Sequence, residues 1–266
     1  MTRDRLAVPE GVRIHPVRLA RYVPTPLVPV ARRVYRALGR PGSPPRASGK
    51  KSAAAVAPPA AASIAAASVR SREELHAYWR DPDEPNRPEG YVIPVDRSHF
   101  LLKLLEPYCA SDDPVLEIGP NVGRNLEHLR LAGFKCLEGI EINSNAIEVM
   151  RASYPDLAAS ATIHNAPVEE VIGALPDRAF GAVLTMAVLE HIHPESEWIF
   201  AEMVRICRGI IVTIEDEESQ TWRHTPRQYR SVFEGLGMVQ IAEADPSGLT
   251  GLGAHFRARV FQRPPR

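Results

Sequence analysis

Between Val115 and Leu126 the chain reads VLEIGPNVGRNL. A short apolar run ends at Glu117 and Ile118, and Gly119, Asn121 and Gly123 then mark a turn before a helical pattern resumes. Glycine permits positive φ and close approach of the backbone to a ligand, while the amides of a helix start can be aimed at an anionic group. A second apolar run, LEGIEIN, puts Glu141 at its carboxyl end, 22 residues after Gly119. In a parallel sheet both ends lie on one edge. There Glu141 can accept hydrogen bonds from ribose hydroxyls, and Glu117 faces the other polar end of the ligand. The spacing Gly119-Pro120-Asn121-Val122-Gly123 is not the dinucleotide fingerprint, and the chain has no Gly-Lys-Ser or Gly-Lys-Thr phosphate loop. The plainer reading has Glu117 capping neighbouring amides and Glu141 as a solvated strand end.

Proton chemistry points to two later segments. LEHIHPE carries His191 and His193, whose intrinsic titration lies near neutrality. His191 follows Glu190 at the expected ligand edge, which makes it the candidate base or substrate contact. In the competing account Glu190 accepts backbone hydrogen bonds, His191 shapes the pocket and His193-Pro194 starts a helix. IEDEESQTWRHTPRQY follows the last parallel strand and is a candidate lid. There Trp222 would contact an apolar acceptor, His224 would handle a proton and an arginine would pair with a carboxylate; a plain surface turn is the alternative. No third histidine or cysteine stands at a convincing local spacing, so no metal site is expected. His76 is distant in sequence and is expected to have no role. Cys109, Cys136 and Cys207 lack paired spacing and are expected to be buried or half-buried side chains.

Strands are expected at 115–118, 136–140, 161–164, 182–186 and 209–214. Val122, Leu126 and Leu129 mark one helical face between them, and Ile199, Phe200, Met203, Val204 and Cys207 mark another. This alternation predicts an α/β fold: a seven-stranded, mostly parallel sheet with helices on both faces, closed by an antiparallel C-terminal hairpin. Ahead of the sheet, SREE offers a capping box for a helix from Ser71 to Tyr78 or Trp79. The prolines of DPDEPNRPEG break that helix, with Asp81, Arg87 and Glu89 as candidate entrance residues. A second helix is expected over 97–108. Thr225, Pro226 and Gln228 announce a last helix with a cap, an N1 proline and a completed box.

These segments together resemble the large class of S-adenosylmethionine-dependent methyltransferases built on a seven-stranded Rossmann-like sheet. EIGPNVGRN resembles their first glycine-rich motif, GIEIN the ribose-binding strand end, and FGAVLTMAVLEHI the fourth-strand segment that reaches the reaction centre. The resemblance spans about residues 95 to 242. It implies S-adenosyl-L-methionine as cofactor and assigns Glu117 and the backbone of residues 119–123, with Gly119, Asn121 and Gly123, to its methionine portion. It assigns Glu141 to the ribose, and places Asn165 and Ala166 of HNAPVEE beside adenine; Asn165 could instead stabilise a turn. Asn121 occupies a frequent glycine position, which holds if its φ is compatible. Gly181 occupies a frequent aspartate position, which removes one acidic interaction.

With 266 residues and 44% apolar content, one substantial core is allowed. The formal charge of zero hides an asymmetry, because residues 1 to 50 carry 11 Lys or Arg against Asp4 and Glu10, about +9, and the remainder about −9. Residues 1–70 read as a basic, Pro/Ala-rich arm and linker, with a possible anionic partner for residues 1–50 and a short basic helix in PVARRVYRALGR. Residues 71–266 read as the methyltransferase domain, including a helical cap at 71–110. No apolar run suits a membrane span or a secretory signal, so a cytoplasmic location is expected. The expected function is O- or N-methylation of a small-molecule metabolite. The alternatives are C-methylation, modification of RNA or protein recruited by the arm, and a non-catalytic S-adenosylmethionine-binding scaffold.

Overall fold

The computed structural model describes residues 13–14 and 69–264. Helix α1 (Arg72–Arg80) begins with the expected capping box: the Glu74 amide donates to Ser71 Oγ at 3.3 Å, and the Ser71 amide donates to Glu74 Oε2 at 3.0 Å. A short 3-10 turn, Pro88–Tyr91, leads into α2 (Val95–Leu105), which buries Leu101, Leu102, Leu104 and Leu105. Helix α2 stops short of Tyr108 because Pro107 has no amide to continue the ladder.

The sheet then forms from β2 (Val115–Ile118), β3 (Leu137–Ile140), β4 (Thr162–His164), β5 (Phe180–Met186), β6 (Cys207–Asp216), β7 (Val239–Ala244) and β8 (Phe256–Gln262). Its order is β7-β8-β6-β5-β2-β3-β4. Strands β2 to β6 are parallel, and β8 lies antiparallel between β6 and β7 as one arm of the expected hairpin. An additional two-residue strand, β1 (Arg13–Ile14), pairs antiparallel with β7 at the edge. Apart from Val69 and Arg70, the rest of the expected arm, including its basic helix, lies outside the described residues.

One sheet face is covered by α3 (Arg124–Leu131), α4 (Ser144–Ser153) and α5 (Pro155–Ser160), which bury Leu126, Leu129, Met150 and Leu157. On the other face Leu116, Val183 and Ile211 belong to a core with Ile199, Phe200 and Met203 of α7 (Trp198–Ile206), after the short α6 (Val168–Val171). Each such fully buried apolar side chain contributes about 1.5–3 kcal/mol. Helix α8 (Tyr229–Gly235) adds Tyr229 and Phe233 to that core, but it starts later than the cap at Thr225 predicts. The reason is tertiary: the Thr225 amide donates to the Glu190 carbonyl at 2.8 Å, and the Arg227 guanidinium reaches the carbonyls of Leu189 and Ile192 and the Glu197 carboxylate. Residues 221–228 are therefore a strap tied to the segment after β5.

Strand order reverses between β2 and β5. The chain leaves β2 outward through β3 and β4, returns to β5, and continues to β6 on the other side. Such a switch point opens a crevice at the strands' carboxyl ends.

Candidate active site

The turn after β2 is held in the left-handed region at Gly119 (φ 68°), Asn121 (φ 51°) and Gly123 (φ 72°). Asparagine tolerates that region, and Asn121 Oδ1 accepts from the Val122 amide at 2.9 Å, so the departure from glycine is accommodated. A Cβ on Gly119 would stand 2.5 Å from Val188 Cγ2, and one on Gly123 2.8 Å from Leu157 Cδ2. The two glycines thus let the turn slide beneath the segment after β5 and let α3 start against α4 and α5. Gly181 is at the amino end of β5, packed against Asp113 and away from the crevice, so the missing aspartate takes nothing from it.

Glu141, just past β3, accepts from the Asn121 amide at 2.7 Å through Oε2 and from the Asn143 amide at 2.8 Å through Oε1. It knits the glycine turn to the next loop. Burial pushes its carboxyl up to about 7 against the pull of those amides. Glu117, within β2, accepts from Asn125 Nδ2 at 2.7 Å through Oε1, and its Oε2 is buried with no partner. Burial raises Glu117 to about 7 as well. Behind it, Asn125 Oδ1 accepts from Ser98 Oγ at 2.7 Å, and Arg124 bonds Ser98 Oγ and the Tyr91 carbonyl, both at 2.9 Å. The cap and the acid on β2 thus share one buried network, which also lowers Arg124 to about 10 through desolvation.

The histidines behave differently from free imidazoles. His191 has 11% side-chain exposure, lies 4.5 Å from the Trp79 ring and stacks on His224 at 4.6 Å between ring centroids. Its Nδ1 bonds the Arg223 carbonyl at 3.0 Å, so the proton sits on Nδ1 and Nε2 carries the lone pair. Burial drives its pKa down to about 3, and His224 is lowered by the same cause. Both rings are neutral at pH 7, so the expectation of a base titrating near neutrality is corrected for His191. Nearby, the buried acids Glu190 and Glu215 face each other. Glu215 Oε2 accepts from the Val188 and Leu189 amides, Glu190 Oε2 accepts from Asp216, and desolvation with like charge raises Glu190 far above the usual range.

Glu117, Glu141, Glu190, His191 and His224 line one cavity of about 510 Å³, inside the range of about 300–1,000 Å³ common for small-molecule sites. Its inner wall includes Glu117, Gly119, Asn121, Glu141 and Ala166, and its outer wall Trp79, Tyr91, His191, Arg223 and His224. The β7–β8 loop closes one side, where the Thr250 amide donates to Asp96 Oδ2 at 2.7 Å.

Residues 116–210 match the family model described as a methyltransferase domain. By structure the chain is similar to geranyl diphosphate C-methyltransferase from Streptomyces coelicolor A3(2), at 11% identity and TM-score 0.56 over 72% of this chain and 97% of that one. Magnesium protoporphyrin IX methyltransferase from Synechocystis PCC 6803 is similar at 13% identity and TM-score 0.54, over 72% and 96% of the two chains. The chain has the class I S-adenosylmethionine-dependent methyltransferase fold. The [4+2]-cyclase SpnF is also similar, at 13% identity and TM-score 0.53 over 65% of this chain and 82% of that one. No curated protein sequence matches the chain.

S-adenosylmethionine fits the residues that this methyltransferase fold brings together. The orphaned Glu117 Oε2 is an acceptor awaiting a cationic donor, and each oxygen of Glu141 keeps a lone pair beyond the amide it already holds. Ala166 is in the wall, but Asn165 is exposed and outside it. Its Nδ2 donates to the Glu141 carbonyl at 2.9 Å, which pins β3 to β4 and supports the turn role over adenine contact. Trp222 is also outside the wall, edge-on to Tyr78 and beneath Arg70, while Arg227 is spent on the strap. Asp81, Arg87 and Glu89 do not line the cavity; Pro82, Pro85, Asn86 and Gly90 of the same segment do. His76, expected to be remote, lines the cavity and bonds Glu169 at 3.3 Å. Cys136 is exposed, whereas Cys109 and Cys207 are buried. Sequence reasoning missed Trp79, Tyr91 and Asn125; the capping box, which fixes the face of α1, was the available signal for Trp79.

Proposed function

We propose that this chain binds S-adenosylmethionine at the switch point and transfers its methyl group to a small molecule held under the cap. The observation that carries the reading is Glu117 Oε2, buried and unpartnered in the cavity wall. A buried acceptor without a donor costs about 1–3 kcal/mol, more when charged, and the α-ammonium of the methionine portion removes that cost. Bound, the cofactor supplies an electrophilic methyl group on a sulfonium. The chain's residues do the rest. Glu141 accepts from the ribose hydroxyls, the 119–123 turn cradles the methionine portion, and the cap excludes water while orienting the acceptor.

The named activities of the geranyl diphosphate and protoporphyrin enzymes support a small acceptor over RNA or protein. They support a carbon acceptor better than the oxygen or nitrogen first expected, because the first is a C-methyltransferase. The test incubates the full chain with methyl-labelled S-adenosylmethionine and separate metabolite, RNA and protein pools, and product NMR assigns the acceptor atom. Label in a small metabolite is the expected result. Label confined to RNA or protein contradicts the reading, and a rearranged, unmethylated product would favour the chemistry that SpnF represents on this fold.

A further inference from the structure

His191, His224 and Glu190 meet in the cavity wall, and the methyl-donor site leaves their free atoms unused. One potential ligand atom from each lies within 4.8 Å of the others. His191 Nε2 is 3.9 Å from Glu190 Oε1, and the imidazole planes are inclined at 29°. The remaining polar atom of each side chain is already tied down. His191 Nδ1 donates to the Arg223 carbonyl at 3.0 Å, His224 Nδ1 is 3.0 Å from Thr221 Oγ1, and Glu190 Oε2 accepts from the Asp216 amide at 2.9 Å. Outer partners of this kind fix the tautomer and orientation of metal ligands. What they leave is Nε2 of each imidazole and Glu190 Oε1, which lies 3.9 Å from His191 Nε2.

We infer that Glu190, His191 and His224 form a two-histidine, one-carboxylate site for a divalent first-row transition metal, open on the cavity side to paired oxygens of the methyl acceptor. Imidazole and carboxylate are the donor set such ions take, and three protein ligands leave positions for an exogenous oxygen pair. The charge around the site agrees. Glu190 and Glu215 are buried side by side, Glu215 Oε1 has no partner, and Asp216 is the next residue. The cation nearest in this wall, Arg223, has its guanidinium 5.7–5.9 Å from the Tyr78, Trp79 and Trp222 rings and makes no ion pair among the described residues. A divalent ion offsets the like charge of the buried Glu190–Glu215 pair. Metal–ligand bonds of about 2.1 Å bring ligand atoms to roughly 3.0–3.4 Å from one another. From separations of 3.9 to at most 4.8 Å the ligand atoms therefore draw together by about 0.5–1.8 Å on binding, a shift the half-buried His224 supplies from the strap. No local spacing announces the site because His224 stands 33 residues beyond His191. The strap that displaces the expected cap at Thr225 is what brings it back.

The acceptor role rests on the proposed methyl transfer, but metal binding does not, and the test separates them. The full chain, stripped with a chelator, is titrated with Co2+ alone and followed by visible d–d absorption, while S-adenosylhomocysteine binding is measured separately by calorimetry. The expected result is one Co2+ per chain with a tetrahedral or five-coordinate spectrum. His224→Ala, His224→Gln and Glu190→Gln, checked for folding by near-ultraviolet circular dichroism, weaken it by roughly tenfold or more, and the exposed His255→Ala leaves it unchanged. A wild-type chain that binds S-adenosylhomocysteine but gives no saturable Co2+ spectrum overturns the site. So do folded His224 variants that bind Co2+ as wild type does. Loss of S-adenosylhomocysteine binding with Co2+ binding intact sinks the methyl-transfer reading and leaves the metal site standing.

Discussion

Glu117 and Glu141 stand at the carboxyl ends of adjacent strands, both buried and both raised to about 7. In the cofactor-free protein this favours the neutral carboxyl. The stability these groups contribute is fully present below their unfolded value of about 4.5 and is lost as pH rises through about 7. Binding a cationic ammonium reverses the preference, because only the ionised Glu117 pairs with it. Affinity for S-adenosylhomocysteine should therefore rise between about pH 5.5 and 8, a window set by the folded value near 7. Calorimetry across that range should show the slope, and Glu117→Gln should flatten it and weaken binding at pH 8. A wild-type affinity independent of pH would remove Glu117 from the ammonium site. His191 sits outside this account: with its pKa near 3 it stays neutral across the same window.

At the scale of elements, the glycine turn is a packing device, whatever it holds in the cavity. A methyl group on Gly123 would press within 2.8–2.9 Å of Leu157 and Met150 and would hold a positive φ of 72° that alanine resists. Gly123→Ala should lower unfolding stability by about 1–3 kcal/mol, measured by urea denaturation; an unchanged midpoint would mean α3 can shift without cost. The strands were legible because each is an apolar run of strand length bounded by turn residues, and α1 because Ser71 and Glu74 cap it with local bonds. The start of α8 was not legible. Thr225, Pro226 and Gln228 carry a sound local signal, but Arg227 finds stronger partners on the 189–197 segment, and no short-range pattern encodes that contact. The same limit hid the pairing of Glu190 with Glu215 and placed Asn165 at adenine when its amide was needed by the Glu141 carbonyl.

In the proposed function the whole molecule divides its labour between a sheet edge for the methyl donor and a cap for the acceptor. Glu117, Glu141 and the glycine turn stand at the sheet edge, so motif spacing alone was enough to bring them together in one cavity wall. Trp79 and Tyr91 belong to residues 72–97, ahead of the sheet, where the sequence carries turn and capping signals but no cofactor motif. Among the described residues no helix is long and apolar enough to cross a membrane. The central claim is that the switch-point cavity is a nucleoside site held by Glu141, and calorimetric titration of S-adenosylhomocysteine into wild type and folded Glu141→Ala tests it most directly. The account predicts saturable one-site binding in wild type. Loss of a charged hydrogen-bond acceptor worth about 1.5–3 kcal/mol should weaken it roughly 10- to 150-fold in the variant. Absence of binding in wild type, or equal affinity in a folded Glu141→Ala protein, would contradict it.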